Sequence, residues 1–191
     1  MILDEIDKKI IAQLQADGRT TLQDLAKNTG FSSMGTKKRL ERLLKNGAIK
    51  VSALINPNVL KLHPAIVMLE MESAEAMQKV LDRFEECPRI IQIFKTMGGY
   101  NLIALVVAET NETLESISME KCSLRCSKGI RRSEFYPISE TYFSPFLQIR
   151  QSLAQKEKRA APCKVDCDPC NRYENNKCVG CPTTTRYRGT L

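Results

Sequence analysis

The sequence has one histidine and no apolar run long enough to cross a membrane. Its longest apolar candidate, Leu102–Ala108, is strand-sized, whereas a spanning helix needs about 20 residues. The sequence shows no paired carboxylates, no Ser/His/Asp set and no phosphate-binding glycine loop, which disfavours an enzyme. The acidic N-terminal segment lacks the basic start and apolar stretch of a secretory signal. We therefore expect a cytoplasmic protein without membrane segments, whose thiols stay reduced.

Charge is distributed unevenly along the chain of 191 residues. Residues 1–50 carry a net charge of +4, residues 51–149 carry −2, and residues 150–191 carry +5, within a total of +7. A uniform basic excess would indicate only solubility. This asymmetry predicts that the two ends face a polyanion while the middle has another role.

The first 50 residues predict three helices. The first has apolar residues at helical spacing: Leu3, Ile6, Ile10, Ile11 and Leu14. Thr21 can cap a short second helix that Gly30 ends. Ser32 or Ser33 can cap a third helix that runs to about Asn46. Its apolar stripe consists of Leu40, Leu43 and Leu44. This order is that of a helix-turn-helix.

Residues 48–57 are rich in β-branched side chains and predict a wing strand. Residues 57–64 then form a predicted hinge. Beyond it the pattern predicts strands at 65–71, 90–96, 101–108 and 130–138, and helices at 74–86 and from Asn111 to Gly129. The order βαββαβ is that of a ferredoxin-like α+β sandwich, with two helices on one face of the sheet. The other face then needs cover, which a second copy of the protein commonly supplies.

The predicted third helix is basic and follows a turn, which favours contact with the DNA major groove over a merely solvated face. Its N-terminal residues lie nearest the bases: Ser33, Met34, Gly35 and Lys37. Three further cations are placed to contact phosphates: Lys38, Arg39 and Arg42. The sequence therefore predicts double-stranded DNA as a partner.

A set of residues in fixed order joins these elements: Leu3 to Arg19 (LDEIDKKIIAQLQADGR), Leu25-Ala26, Gly30-Phe31-Ser32, Arg39-Leu40, Leu43 and Gly47-Ala48-Ile49. Over residues 2–140, the chain resembles the Lrp/AsnC family of leucine-responsive, feast/famine transcription regulators. The resemblance implies a winged helix-turn-helix, a hinge strand and a ligand-sensing sandwich. It also implies homodimers that assemble into tetramers or octamers, and a two-fold-symmetric DNA site with half-sites about one turn apart.

The same resemblance implies an effector site at the turn between the second and third sensing strands. In the family this turn has the pattern Thr/Ser-Gly-x-aromatic-Asp and lines an amino-acid pocket. Here the corresponding residues are Met97, Gly98, Gly99, Tyr100 and Asn101. Met97 lacks the hydroxyl and Asn101 lacks the charge that holds an amino group. An amino acid, another small ligand and a role in assembly alone all remain open.

Five cysteines lie within nineteen residues near the end of the chain. Cys167-x2-Cys170 and Cys178-x2-Cys181 have the spacing of a four-thiolate zinc site. Cys163 is a fifth candidate ligand, and five thiols also suit an iron–sulfur cluster. We expect this tail, residues 161–191, to need a metal because it has too few apolar residues for a core of its own.

Three cysteines lie outside the tail. Cys122 and Cys126 are four residues apart and either join a metal site or pack as small apolar residues. Cys87 is expected to pack in the same way. Ser144-Pro145 predicts the start of a linker helix over residues 144–160, whose apolar stripe is Phe146, Ile149 and Leu153.

The predicted organisation has five parts: a winged helix-turn-helix at 1–56, a hinge at 57–64, a sensing and oligomerisation domain at 65–142, a linker helix at 144–160 and the tail at 161–191. Two functions besides effector-modulated transcription regulation are open. One is a redox- or metal-responsive regulator gated by the cysteines. The other is an enzyme similar to the sirohaem decarboxylases, which share this architecture, although a single histidine at the hinge, His63, argues against it.

Overall fold

A computed structural model describes residues 2–150 and 157–190. The chain divides into two compact units, residues 1–53 and residues 54–191. None of the helices in the described ranges is long and apolar enough to cross a membrane.

The first unit contains three helices: α1 at Glu5–Ala16, α2 at Leu22–Thr29 and α3 at Ser33–Lys45. Each begins at a side chain that accepts a hydrogen bond from the first helical turn, namely Asp4, Thr21 and Ser32. Gly30 ends α2 with a left-handed backbone at φ +72°, which glycine adopts at no steric cost. The predicted caps at Thr21, Gly30 and Ser32 are confirmed.

The core of this unit is formed by one fully buried residue from each helix: Ile10, Leu25 and Leu43. Leu40 packs beside them, but Leu44, which the sequence placed in the same stripe, is 42% exposed. The predicted wing strand is also absent from residues 48–54, which the structure describes without strand pairing. Only Ile55 forms a bridge, and β-branched composition does not by itself provide a partner strand.

The second unit is built on a four-stranded antiparallel sheet. Its strands are β1 at His63–Met71, β2 at Ile90–Lys95, β3 at Leu102–Ala108 and β4 at Ile130–Pro137. Their order in the sheet is β2-β3-β1-β4. Helices α4 at Ala74–Phe84 and α5 at Asn111–Met119 complete the order βαββαβ. The ferredoxin-like prediction is confirmed.

Both helices lie on one face of this sheet. Val80 and Phe84 of α4 and Leu114 of α5 are buried against alternate residues of β1 and β3. The sequence wrongly extended the second helix to Gly129, since α5 ends at Met119 and a separate 3-10 turn follows at Leu124–Cys126. Ser123 accepts a hydrogen bond from the Arg125 N–H at 3.1 Å, and such local bonds compete with a continuing helix.

Part of the opposite sheet face is covered by the chain itself. Ile55 and Leu147 exchange backbone hydrogen bonds of 2.9 and 2.8 Å. They pack with Leu62, Val107 and Ile149. The predicted linker helix is therefore wrong for residues 144–150, which are not helical. Leu147 and Ile149 both face this core because alternate residues of an extended chain point to the same side. Leu153 lies outside the described residues.

The described part of the tail packs onto the sandwich within the second unit. Ala161 and Cys163 are buried in the same core as residues of α4 and α5, and Val165 and Cys181 pack against that core. A short helix, α6, spans Asn171–Glu174. The tail thus shares the apolar core of the sensing sandwich, which the sequence did not predict.

Candidate functional site

The N-terminal half of α3 presents side chains to solvent. Ser33, Lys37 and Lys38 are exposed, and Met34 is 65% exposed. Lys37 makes a long contact with Glu41 (Nζ to Oε1, 3.8 Å), and such exposed pairs contribute little. The first turn has no acidic residue, so its N–H groups and cations together favour an anion.

Two cations of α3 are instead bonded to acids at the start of α1. Arg39 Nη1 donates to Asp4 Oδ2 at 2.6 Å and to Asp7 Oδ1 at 3.1 Å, and Arg42 Nη2 donates to Asp7 Oδ2 at 2.6 Å. The Asp7 N–H, and then Arg39, hold the pKa of Asp4 below its ordinary value. Arg39 also lies over the Phe31 ring at 5.0 Å. These contacts tie α3 to α1. Of the acids that make them, Asp4 is the N-cap residue of α1 and Asp7 lies in its first turn.

The turn at residues 97–101 is fixed by Asn101. Its Oδ1 accepts from the Met71 N–H at 2.8 Å, and its Nδ2 donates to the Met71 carbonyl at 3.0 Å. A carboxylate cannot make the second bond. The amide at this position therefore binds the backbone of β1. Met97 is fully exposed, and Gly98 and Gly99 complete the turn.

Tyr100 belongs to a polar cluster on β4 that sequence reasoning missed. Its hydroxyl donates to Glu134, which also accepts from the Tyr136 hydroxyl. Arg132 lies over the Tyr100 ring at 4.4 Å. Desolvation, and then the bond to Glu134, raise the pKa of Tyr100 to about 12, while the two hydroxyls lower the pKa of Glu134. The alternation of Arg132, Glu134 and Tyr136 along one strand face was the available signal.

Both units match models of known families. Residues 3–50 match the winged helix-turn-helix DNA-binding model. Residues 64–145 match the Lrp/AsnC ligand binding domain. The transcriptional regulator FL11 of Pyrococcus furiosus is 32% identical over 116 residues, which cover 60% of this chain and 77% of that protein. The chain belongs to the Lrp/AsnC family of transcription regulators.

Other Lrp/AsnC proteins agree with this assignment. Regulatory protein AsnC of Haemophilus influenzae is 27% identical over 64% of this chain and 83% of its own length. Two solved structures share the fold. LrpA of Mycobacterium tuberculosis has a TM-score of 0.64 and 26% identity over 78% of this chain and all of that one. AsnC of E. coli has a TM-score of 0.66 and 20% identity over 75% and 97%. The matched family and the relatives FL11 and Haemophilus influenzae AsnC are regulators, so the enzyme alternative is not supported.

The tail of this Lrp/AsnC protein lies beyond both matched ranges. Two sets of contacts hold it against the sandwich. Arg172 of α6 donates from Nε to Ser116 Oγ at 2.6 Å and from Nη2 to the Glu112 carbonyl at 3.0 Å. Ser116 Oγ donates to the Lys177 carbonyl at 3.0 Å. The tail residues 172–177 are thereby fixed against α5.

A buried ion pair provides the second anchor. Arg89 donates to Glu109, with only 7% and 2% of the two side chains exposed, and its Nη2 also donates to the Gly180 carbonyl at 2.7 Å. Glu109 accepts a further bond from the Tyr187 hydroxyl. Each buried charge is therefore matched by a partner, as its desolvation requires.

The tail cysteines separate into two groups. Cys163 is buried in the apolar core and Cys181 packs against it, whereas Cys167, Cys170 and Cys178 line a cavity of about 200 Å³. Cys122 lines the same cavity and also packs against the core. Burial raises the pKa of the Cys167 thiol to about 11. Across residues 2–150 and 157–190, no three His, Cys, Asp or Glu side chains stand in an arrangement that holds a single metal ion. Zinc and an iron–sulfur cluster both stay predictions.

Proposed function

We propose that this regulator reads double-stranded DNA with the exposed N-terminal half of α3. Ser33, Met34 and Lys37 are placed to reach base edges, and Lys38 to reach a phosphate. The observation that carries this assignment is the solvent-exposed cationic start of α3 in a winged helix-turn-helix unit. Arg39 and Arg42 hold α3 in place, so we assign them a positioning role rather than a free phosphate contact.

We propose further that the protein acts as a homodimer formed through the sensing sheet. Ile66 and Met68 of β1 and Ile103 and Leu105 of β3 alternate with the core residues and face away from α4 and α5. These apolar side chains remain only half-buried in the single chain. A second copy would cover them and bring two α3 helices onto one two-fold-symmetric site. Assembly into tetramers or octamers stays a prediction.

The test is selection of bound fragments from random duplexes, followed by footprinting. We expect two inverted half-sites about one helical turn apart. Mass measurement by light scattering should show at least a dimer under the same conditions. Absence of any preference for a duplex sequence at moderate salt would refute the specific-binding role, and a monomeric mass would refute the dimer alone.

A small-molecule effector is the second open part of the proposal. The turn at residues 97–101 supports an effector position, but one N–H and one acceptor site of the Asn101 amide are already bonded to Met71, so the amide is oriented by the β1 backbone. We therefore propose that any effector there is held by other groups, such as Tyr100. Calorimetry against the twenty amino acids tests this site, and uniformly flat titrations would argue against an amino-acid effector.

We also propose that the tail binds a metal through cysteine thiolates, as zinc or as an iron–sulfur cluster, and that the metal modulates regulation. The support is the packing of the tail against the sensing unit, which couples the two parts. Metal analysis of protein purified without oxygen tests binding, and gel shifts with metal-loaded and chelated protein test modulation. A metal content well below one equivalent per chain after reconstitution would refute the proposal.

A further inference from the structure

One cavity brings a cysteine of the sensing sandwich beside three cysteines of the tail. Cys122 follows α5, whereas Cys167, Cys170 and Cys178 come from the two halves of the tail, and all four line the same cavity of about 200 Å³. Cys181, which the sequence grouped with the tail ligands, does not line this cavity. Cys181 and Cys122 both pack against the apolar core of the sandwich. The spatial set therefore differs from the set that sequence spacing selects.

The contacts around this cavity hold both sides in register. Ser116 lines the cavity and is bonded to Arg172 and to the Lys177 carbonyl, next to Cys178. The Val179 N–H donates to Thr113 Oγ1 at 3.3 Å. These bonds hold Cys178 against α5. Cys122 follows three residues after the end of that helix at Met119. The juxtaposition thus follows from specific docking of the tail on α5.

The arrangement of side chains around the cavity favours one of the two metal alternatives. Zinc binds sulfur at about 2.3 Å, which draws four thiolate sulfurs to within roughly 4 Å of one another. No three of the described Cys, His, Asp or Glu side chains form a group that could hold a single metal ion. In a four-iron cluster each thiolate binds a different iron, so the sulfurs stand further apart and enclose a larger volume.

We propose that Cys122, Cys167, Cys170 and Cys178 together hold an iron–sulfur cluster of the four-iron type. This inference rests on the proposed metal-binding function of the tail and names its ligands. The sensing sandwich supplies one thiolate and the tail supplies three, so the cluster links the two. Lys121 also lines the cavity and offsets part of the negative charge of the cluster, beside the acids Glu120 and Asp166.

The experiment uses the full chain, reconstituted without oxygen with ferrous iron and sulfide. We expect about four iron and four labile sulfide atoms per chain and a broad visible absorption. Cys122→Ala should lower the cluster content at least fivefold. Cys126→Ala is the matched control, because Cys126 lies four residues further on, is exposed and does not line the cavity. Cys126→Ala and Cys181→Ala should both keep the wild-type content.

A measurement on the unaltered chain guards against misfolding of the variants. Alkylation followed by mass spectrometry should show that cluster loading slows modification of Cys122 at least tenfold and leaves Cys126 unchanged. If Cys122→Ala retains the cluster while Cys181→Ala loses it, the shared ligand set is wrong and a tail-only site is correct. One tightly bound zinc without labile sulfide would overturn the cluster but leave the metal-binding tail standing. Failure to bind either metal would overturn both.

Discussion

Arg42 of α3 donates a 2.6 Å hydrogen bond to Asp7 of α1, whose side chain is 1% exposed. Arg39, one turn earlier, bonds to the second oxygen of the same carboxylate. The recognition helix is thus positioned by an acid that is fully enclosed in the unit. This arrangement separates the cations of α3 into those that fix the helix and those that remain for DNA.

Substitution Asp7→Asn should loosen the contact between α1 and α3. It removes the charge from a buried acceptor of two guanidinium groups, and hydrogen bonds to charged groups contribute about 1.5–3 kcal/mol. We expect faster amide hydrogen exchange in both helices, which corresponds to a loss of about 1–3 kcal/mol in their free energy of opening. Glu5→Gln, in an exposed pair with Lys8, is the control and should change exchange by less than about 0.5 kcal/mol. Equal effects of the two variants would contradict the assigned role of Asp7.

Lys38→Ala should weaken binding to every duplex by a similar factor. Lys38 is exposed and the described residues offer it no ion-pair partner. It is therefore available to contact a DNA phosphate, which releases the counterion bound there. Its loss should reduce the slope of log K against log salt by about 1. Lys8→Ala, which removes a cation already paired with Glu5 at 2.7 Å, should leave the slope unchanged. The measurement is anisotropy titration at several salt concentrations, and an unaltered slope for Lys38→Ala would exclude this contact.

Asn101→Asp should destabilise the sensing unit at neutral pH. The carboxylate keeps the acceptor for the Met71 N–H but places a negative oxygen against the Met71 carbonyl, which loses its donor. An unsatisfied group of this kind costs about 1–3 kcal/mol. Because a protonated carboxyl regains a donor, the loss should shrink as pH falls. Met97→Ala, in the same turn but fully exposed, is the control and should have the melting temperature of the wild type. If Asn101→Asp also melts at the wild-type temperature, the two bonds from Asn101 to Met71 do not stabilise the unit.

The sequence predicted the elements whose signals are local. It failed where the structure depends on contacts between residues that are far apart in the sequence. Helix caps such as Thr21 and Ser32 satisfy their own first turn, so their pattern was sufficient. The alternation of β1 and β3 likewise identified the strands, since one face must be buried. Leu147 pairs with Ile55, some ninety residues away, and local spacing around Pro145 favoured a helix instead. The role of Asp7 and the docking of Cys122 against the tail depend on contacts of the same distant kind.

Glu134→Gln should reduce stability in a pH-dependent way. The hydroxyls of Tyr100 and Tyr136 lower the pKa of Glu134 from its ordinary 4.5. A carboxylate with a lowered folded pKa adds stability that is present above the unfolded value and is lost as pH falls through the folded one. The melting temperature of Glu134→Gln should therefore lie below that of the wild type at pH 6, and this gap should narrow as pH falls below about 4. Glu140→Gln, at an exposed position beyond β4, is the control, and a gap of constant size would contradict this account.

Arg89→Met should release the tail from the sensing sandwich. It leaves Glu109 buried without its cation and removes the donor to the Gly180 carbonyl, and breaking a buried pair costs about 3–5 kcal/mol. We expect limited proteolysis to cut the tail of the variant much faster than that of the wild type. Arg186→Met, which removes exposed pairs with Asp166 and Asp168, should cost less than about 1 kcal/mol and leave cleavage slow. The double variant Arg89→Met with Glu109→Met should regain part of the protection, since no charge is then left buried and unpaired. If it is instead cleaved faster than Arg89→Met alone, the ion pair is not what holds the tail.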